Sequence, residues 1–143
     1  MNRFLRFSGA LLMAAALSGC SDHREDHDAI LGRACLAGVI AMLPQGKELD
    51  HVVEAHFSPD DVEGSMRKVV LHTMTKDGWL QTEEDYECLF EEGSAFLFFG
   101  YSADIVRLKT PETLYGRQGD TLAGSVEDNT RLQNATSKAI HHW

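Results

Sequence analysis

The feature that most restricts what this chain can fold into is its N-terminal segment. Arg3 and Arg6 give a basic start, and residues 7–17 form an apolar run interrupted only by Ser8 and Gly9. A helix that spans a bilayer needs about 20 apolar residues, so this run is too short to cross one. Its layout is that of an export signal. We therefore expect residues 1–19 to be a signal peptide that takes no part in the folded domain.

The apolar run ends in the sequence Leu17-Ser18-Gly19-Cys20. In this position the motif resembles the lipobox of bacterial lipoproteins, and the resemblance covers the first twenty residues. It implies cleavage before Cys20, a diacylglyceryl group on the Cys20 sulfur and acylation of the new amino terminus. Because two or more acyl chains anchor a protein stably, the resemblance implies a domain held on the membrane through Cys20. The alternative is an ordinary secretory signal that leaves Cys20 as a free thiol.

Localisation follows from the same resemblance. It implies the bacterial cell envelope, with the domain facing the periplasm. In lipoproteins of enteric type, an Asp directly after the lipidated cysteine tends to retain the protein in the inner membrane. The residue at that position here is Ser21, which favours the outer membrane.

The remaining chain has the length of one domain and a strongly acidic balance. We expect residues 20–28 to be a short polar tether and residues 29–143 to form a single α+β domain. Without its first nineteen residues the chain carries 11 Lys and Arg against 22 Asp and Glu, a formal net charge of −11. Such a surface repels phosphate backbones, so nucleic acid is excluded as a partner, whereas a basic protein would be attracted.

The other two cysteines are Cys35 and Cys88. With Cys20 assigned to lipid by the resemblance, they form an even pair in an oxidising compartment, and we expect a disulfide between them. The alternatives are two free thiols or a two-cysteine metal site. No C-x-x-C motif is present, which weakens both a redox and a zinc interpretation.

Apolar spacing predicts two helices and a sheet. Helical periodicity covers about residues 26–43 and ends at Pro44 and Gly46, and a second helix is expected over residues 126–140 after Ser125. Gly38 inside the first helix indicates a closely packed neighbour. Residues 113–124 contain three glycines, which predicts a loop or a hairpin. Alternating or apolar runs predict strands at residues 49–57, 68–75, 85–91, 95–99 and 105–109, the last as an edge strand, with a hairpin at 76–78.

The fold class is therefore α+β. An N-terminal helix is disulfide-linked to a mostly antiparallel sheet of four to five strands, and a C-terminal helix follows. The strand face that carries Cys88 also carries Tyr86 and Phe90, so we expect the first helix to cover that face.

The chain contains no motif of an established catalytic or cofactor site. Nucleophile-elbow, P-loop and dinucleotide-binding patterns are missing, so we expect no catalytic residues and no cofactor. His23 and His27 have helical spacing but lack further ligands, so we expect no metal site there. The acids at positions 60, 61 and 63 and at positions 83–85 do not follow the calcium-loop pattern and look solvated.

Binding of another protein is the function that remains. The expected role is that of a non-catalytic accessory component of an envelope assembly. One alternative is a periplasmic inhibitor or immunity protein that neutralises a basic hydrolase. Another is a carrier of a small molecule or lipid, in which Phe96 and its neighbours to Phe99 would line a cavity. Aromatic residues expected near turns or strand ends are the candidate contacts: Phe57, Trp79, Tyr101 and Tyr115.

Overall fold

The structure is a computed structural model that describes residues 22–60, 66–93 and 100–142. The expected signal peptide, Cys20, Ser21 and the apolar run at residues 95–99 lie outside these residues. Two helices flank six strands in chain order: α1 (Asp22–Met42), β1 (Lys47–Pro59), β2 (Met66–Asp77), β3 (Leu80–Glu92), β4 (Ala103–Lys109), β5 (Leu114–Gln118), β6 (Thr121–Ala123) and α2 (Val126–His141).

The strands form one antiparallel sheet in the order β1-β2-β3-β4-β5-β6. The α+β class is confirmed, but the prediction of four to five strands was wrong, because the described residues alone form a sheet of six. Residues 113–124 form the β5–β6 hairpin, whose strands of five and three residues are too short to show alternation. This hairpin also makes β4 an interior strand rather than the predicted edge strand.

The helices and the sheet form two layers around one core. The inner sheet face is the one against the helices, and we call the opposite face the outer sheet face. Along β2 the inward side chains are Val69, Leu71, Thr73 and Thr75, all at most 2 % exposed. Tyr86, Cys88 and Phe90 continue the same layer on β3 and are buried.

A disulfide joins Cys35 of α1 to Cys88 of β3, with 5.8 Å between the Cα atoms. The predicted pairing is therefore confirmed. Both sulfurs lie in the core, and neither residue has exposed surface. The bond fixes α1 over the aromatic face of β3, as the sequence predicted.

Helix α1 begins at Asp22, so residues 22–28, expected as part of a polar tether, are helical. Ion pairs account for this early start. Arg24 pairs with Asp28 one turn later at 2.8 Å, and Asp28 in turn pairs with Arg67 at the start of β2 at 2.7 Å. The acidic start of α1 is thereby docked on the sheet.

Helix α2 packs against α1 and begins as the sequence predicted. The Ser125 hydroxyl accepts a hydrogen bond from the backbone N–H of Asp128 at 3.0 Å, which is an N-cap. Leu132 and Thr136 of α2 lie directly over Gly38 of α1. In the described part of the chain, no helix has the length and apolar character needed to cross a membrane.

Candidate functional site

The turn between β2 and β3 presents the most exposed apolar surface of the described chain. Asp77 pairs with Leu80, which leaves Gly78 and Trp79 as a two-residue loop. Gly78 has φ of +63°, a conformation that glycine adopts without steric cost and that tight hairpins require. We call residues 77–80 the distal hairpin tip.

Trp79 is 93 % exposed, and its neighbour Leu80 is 53 % exposed. A tryptophan in water is unusual because its large apolar surface favours burial, and exposed aromatics of this kind mark contact sites. Within residues 22–60, 66–93 and 100–142, Trp79 is the single exposed aromatic side chain among Phe, Trp and Tyr. The other candidates, Phe57, Tyr101 and Tyr115, are partly buried and pack on the core.

The distal hairpin tip lies at the end of the molecule opposite the start of α1. Near that start, Arg24 contacts Glu92 of β3, whereas the end of α1 lies beside Lys47 and Tyr86. A helix of 21 residues spans roughly 30 Å. An attachment at the N-terminal end of α1 would therefore leave Trp79 facing away from it.

An ion network fixes the N-terminal end of α1 to the sheet. Two guanidinium nitrogens of Arg24 donate to the two carboxylate oxygens of Glu92, at 3.1 and 2.7 Å. The Tyr101 hydroxyl donates to Glu92 at 2.7 Å, and the ring of His27 stacks on that of Tyr101 at 3.9 Å. His27, which has helical spacing to His23 in the sequence, thus packs on an aromatic ring.

This network shifts the pKa of its members. Burial acts to raise the pKa of Glu92, but the hydrogen bonds from Arg24 and Tyr101 outweigh it, and the pKa lies below its ordinary value. Burial and the hydrogen bond to Glu92 raise the pKa of Tyr101. Glu92 is therefore held as a carboxylate and Tyr101 as a phenol at neutral pH.

A second network lies beneath the distal hairpin tip and is centred on Glu84. One carboxylate oxygen of Glu84 accepts from Lys47, and the other accepts from the Tyr86 hydroxyl at 2.7 Å and from Thr75 at 3.1 Å. Burial acts to raise the pKa of Glu84, but the bonds from Lys47 and Tyr86 lower it overall. The expectation that the acids at 83–85 are all solvated was wrong for Glu84, which points to the inner face.

A cleft of about 500 Å³ opens between β4, the β5–β6 hairpin and α2. Gly116, with φ of +98°, approaches so closely that a Cβ there would lie 2.2 Å from the Val106 carbonyl oxygen. Beyond this point β5 no longer pairs with β4, and Gln133 of α2 donates to the Ile105 carbonyl at 2.6 Å instead. Leu122 and Val126, 57 % and 70 % exposed, give the cleft an apolar side.

A group with metal-ligating chemistry lies on the outer sheet face. Glu54, His56 and His72 place one ligand atom each within 4.8 Å of one another. His56 Nε2 lies 3.3 Å from a Glu54 carboxylate oxygen, and the two histidine rings are 5.2 Å apart at 81°. His72 Nδ1 also pairs with Asp85 on β3. No pattern within one strand indicates this group, since Glu54 and His56 come from β1 and His72 comes from β2.

The other residues considered in the sequence for catalysis or metal binding do not form a site together in the described part of the chain. Cys35 is bridged to Cys88, so the alternative of two free thiols does not apply. Asp60 follows β1 and its N–H donates to the Met66 carbonyl, whereas residues 61 and 63 of the same acidic group lie outside the described residues. His23 is exposed at the start of α1, and His27 is engaged with Tyr101.

No protein-family model, curated protein or solved structure matches this chain.

Proposed function

We propose that this protein is a lipid-anchored bacterial envelope lipoprotein whose domain binds another protein without catalysing a reaction. The observation that carries the binding role is the exposure of Trp79 and Leu80 at the distal hairpin tip. Tryptophan is enriched among residues that dominate binding energy at protein interfaces. Strands β2 and β3 are paired up to the tip, and β1 pairs with β2 as far as Asp77, so Trp79 is presented with little loss of backbone freedom on binding.

The position of the tip supports a protein partner over a membrane contact. A chain anchored through Cys20 would meet the membrane at the N-terminal end of α1. The tip lies at the other end of that helix, and Trp79 precedes β3 and lies about 16 Å beyond Glu84 of the second network in the strand direction. In the proposed arrangement Trp79 points into the periplasm, where a soluble or envelope-bound protein can reach it.

The charge around the tip supports a basic partner. Residues 47–50 and 75–84 together carry two lysines and five acidic residues. Both lysines are paired with carboxylates, Lys47 with Glu84 and Lys76 with Asp50. The local acidic excess has the sign of the whole chain, whose formal net charge is −9. Complementary charge increases the association rate with a basic protein.

Two kinds of partner fit these properties. An accessory component of an envelope assembly would dock the tip on another envelope protein. An inhibitor or immunity protein would dock it on a secreted basic hydrolase. The carrier alternative depends on a cavity lined by residues 96–99, which lie outside the described residues. The cleft beside β4 is a second concave surface, and capture of lipid there would replace the protein-binding proposal.

The proposal is tested by cross-linking from the tip in the native envelope. A photoreactive aromatic amino acid replaces Trp79 in one variant and Leu122 of the cleft in another. We expect one stoichiometric partner cross-linked from position 79 and none from position 122. Mass spectrometry identifies the partner as an envelope component or a secreted hydrolase, and the intact mass of the same preparation reports whether Cys20 carries the expected fatty chains.

The matched variants are Trp79→Ala and Leu122→Ala, both of which remove exposed apolar side chains. Loss of a hot-spot residue costs at least about 2 kcal/mol, so Trp79→Ala is expected to raise the Kd for the partner roughly 30-fold and to lower its recovery. Leu122→Ala is expected to leave it unchanged. Equal recovery by wild type and Trp79→Ala would rule out the tip as the docking site, and an unmodified intact mass would rule out the anchor.

A further inference from the structure

The three side chains Glu54, His56 and His72 share one patch of the outer sheet face because of the strand register. Glu54 lies directly opposite His72 in the β1–β2 pair, and His72 lies directly opposite Asp85 in the β2–β3 pair. His56 follows Glu54 by two residues and so lies on the same face. The side chains of Glu54 on β1, His72 on β2 and Asp85 on β3 therefore form one row across three strands. The imidazole of His56 lies beside this row on β1.

An irregularity in β1 sets this alignment. The register shifts between Val52 and Glu54, so that Val53 is an extra residue without its own partner on β2. Such a bulge redirects the side chains that follow it, and bulges are frequent beside functional sites. Without the shift, Glu54 and His56 would exchange faces with Ala55 and Phe57, which instead pack towards the core.

The spacing of the ligand atoms matches the size of a coordination polyhedron. With metal–nitrogen and metal–oxygen distances near 2.1 Å, two ligands of a tetrahedral ion lie about 3.4 Å apart. His56 Nε2 and the Glu54 oxygen are 3.3 Å apart. All three ligand atoms lie within 4.8 Å of one another, so small rotations of exposed side chains bring them to one centre.

Asp85 gives His72 a defined orientation. Because His72 Nδ1 pairs with Asp85, Nε2 is the ring nitrogen left for a ligand. A carboxylate that binds the far side of a ligating imidazole is the usual outer partner in metal sites, where it fixes the ring and increases its basicity. Asp85 is therefore a positioning residue and not a ligand.

We propose that Glu54, His56 and His72 bind a divalent transition-metal ion of the zinc type, with Asp85 orienting His72. Two imidazoles and one carboxylate suit Zn²⁺ and disfavour Ca²⁺ and Mg²⁺, which prefer oxygen ligands. Three protein ligands leave the remaining position for water. The proposal does not depend on the function proposed above, because the cluster lies on the sheet face and not at the distal hairpin tip.

The proposal is tested by titrating the purified full-length chain with Zn²⁺ alone. We expect one high-affinity site that excess Ca²⁺ and Mg²⁺ do not compete for. His56→Gln and His72→Gln each remove a ligand. Loss of an outer partner weakens metal binding roughly 10- to 100-fold, and we expect the loss of either ligand to weaken Zn²⁺ binding by more than that. Asp85→Asn removes the outer partner and is expected to weaken binding within that range, with the stoichiometry unchanged.

The matched control is His51→Gln. His51 is an exposed histidine on β1, the strand that carries His56, and it pairs with Asp50 outside the cluster. Its replacement is expected to leave the Zn²⁺ affinity unchanged. A second measurement needs no variant: in the NMR spectrum of the wild-type chain, Zn²⁺ is expected to shift the imidazole signals of His56 and His72 and not those of His51. Zn²⁺ affinity in the His56→Gln and His72→Gln variants equal to that of wild type would overturn the site, as would unshifted signals.

Discussion

At the scale of single residues, Gly38 sets how closely the two helices approach. A Cβ at this position would lie 2.9 Å from Leu132 Cδ1 and 3.0 Å from Thr136 Cγ2. Both neighbours are 1 % exposed. The Thr136 hydroxyl donates to the Leu132 carbonyl at 3.0 Å, which fixes its rotamer and leaves its methyl group little room to move.

Replacing Gly38 by Ala is therefore expected to destabilise the protein even though alanine favours helices. The substitution gains about 1 kcal/mol of helix propensity, whereas an added methyl group in a packed core costs about 1–3 kcal/mol. We expect Gly38→Ala to lower the free energy of unfolding by about 1 kcal/mol, measured by urea denaturation. Substitution by Val adds two more carbons and is expected to cost more.

The same substitution in a Thr136→Ser background isolates the contact. Serine keeps the hydroxyl and removes the methyl group that faces Gly38. We expect the cost of Gly38→Ala to fall by at least about 0.5 kcal/mol in that background, the size at which neighbouring substitutions are coupled. An equal cost in both backgrounds would show that the methyl group of Thr136 does not limit the helix approach.

At the scale of elements, the Cys35–Cys88 bond is the covalent link between the helix layer and the sheet. Its residues are 53 positions apart. Closing a loop of that length restricts the unfolded chain and is expected to stabilise the folded protein by about 4 kcal/mol in the chain-entropy model. We therefore expect Cys35→Ala with Cys88→Ala to lower the free energy of unfolding by up to about 4 kcal/mol.

The control for that prediction is the wild-type chain with and without reductant. Reduction removes the cross-link and keeps both sulfur atoms in the core, so it separates the link from the packing. We expect reductant to lower the unfolding free energy of wild type and to leave the double variant unchanged. A loss under about 1 kcal/mol on reduction would contradict a stabilising role for the bond.

The elements that the sequence predicted correctly are those with strong local signals. These signals depend on residues close together in the chain. They are the end of α1 before Pro44 and Gly46, the N-cap of α2 at Ser125 and the hairpin at residues 76–78. The β5–β6 hairpin was left open because its strands are short. Once it forms, β4 has a neighbour on each side, and this pairing depends on Gly116, whose tolerance of positive φ allows the close approach.

The site was less predictable because it depends on register. Period-two alternation places Glu84 on the same face as Tyr86 and Cys88, and this parity could have indicated that Glu84 is buried. The approach of His56 to His72 had no comparable signal. It requires the β1–β2 pairing and the extra residue at Val53, and neither can be read from one strand alone.

At the scale of the whole molecule, two carboxylates secure opposite ends of the domain. Glu92 binds Arg24 at the start of α1, and Glu84 binds Lys47 beyond its end. Both side chains are largely buried, with 22 % and 12 % of their surfaces exposed. The two networks share no residue, so their contributions to stability are expected to add.

Both networks predict that the protein loses stability in acid. The pKa of each glutamate is lowered from an ordinary value of 4.5 in the folded state. A lowered pKa contributes stability that is complete above the unfolded value and is lost as the pH falls through the folded value. We therefore expect the free energy of unfolding contributed by these groups to be constant from pH 7 to about pH 5.5 and to fall below about pH 4.5.

Glu92→Gln tests this through the difference between variant and wild type. At pH 7 the variant removes the Glu92 carboxylate and leaves Arg24 paired with Asp28 alone. We expect this to cost about 1–2 kcal/mol, and the loss is moderated because Arg24 is 40 % exposed. Below the folded pKa, wild-type Glu92 is itself neutral and resembles Gln, so the two unfolding free energies should converge. Glu25→Gln, an exposed position on the same helix, should stay within about 0.5 kcal/mol of wild type at pH 7. Chemical denaturation at pH 7 and at successively lower pH measures both variants, and a Glu92→Gln deficit that keeps the same size down to the pH at which the wild type unfolds would mean that ionised Glu92 is not what holds α1 to the sheet.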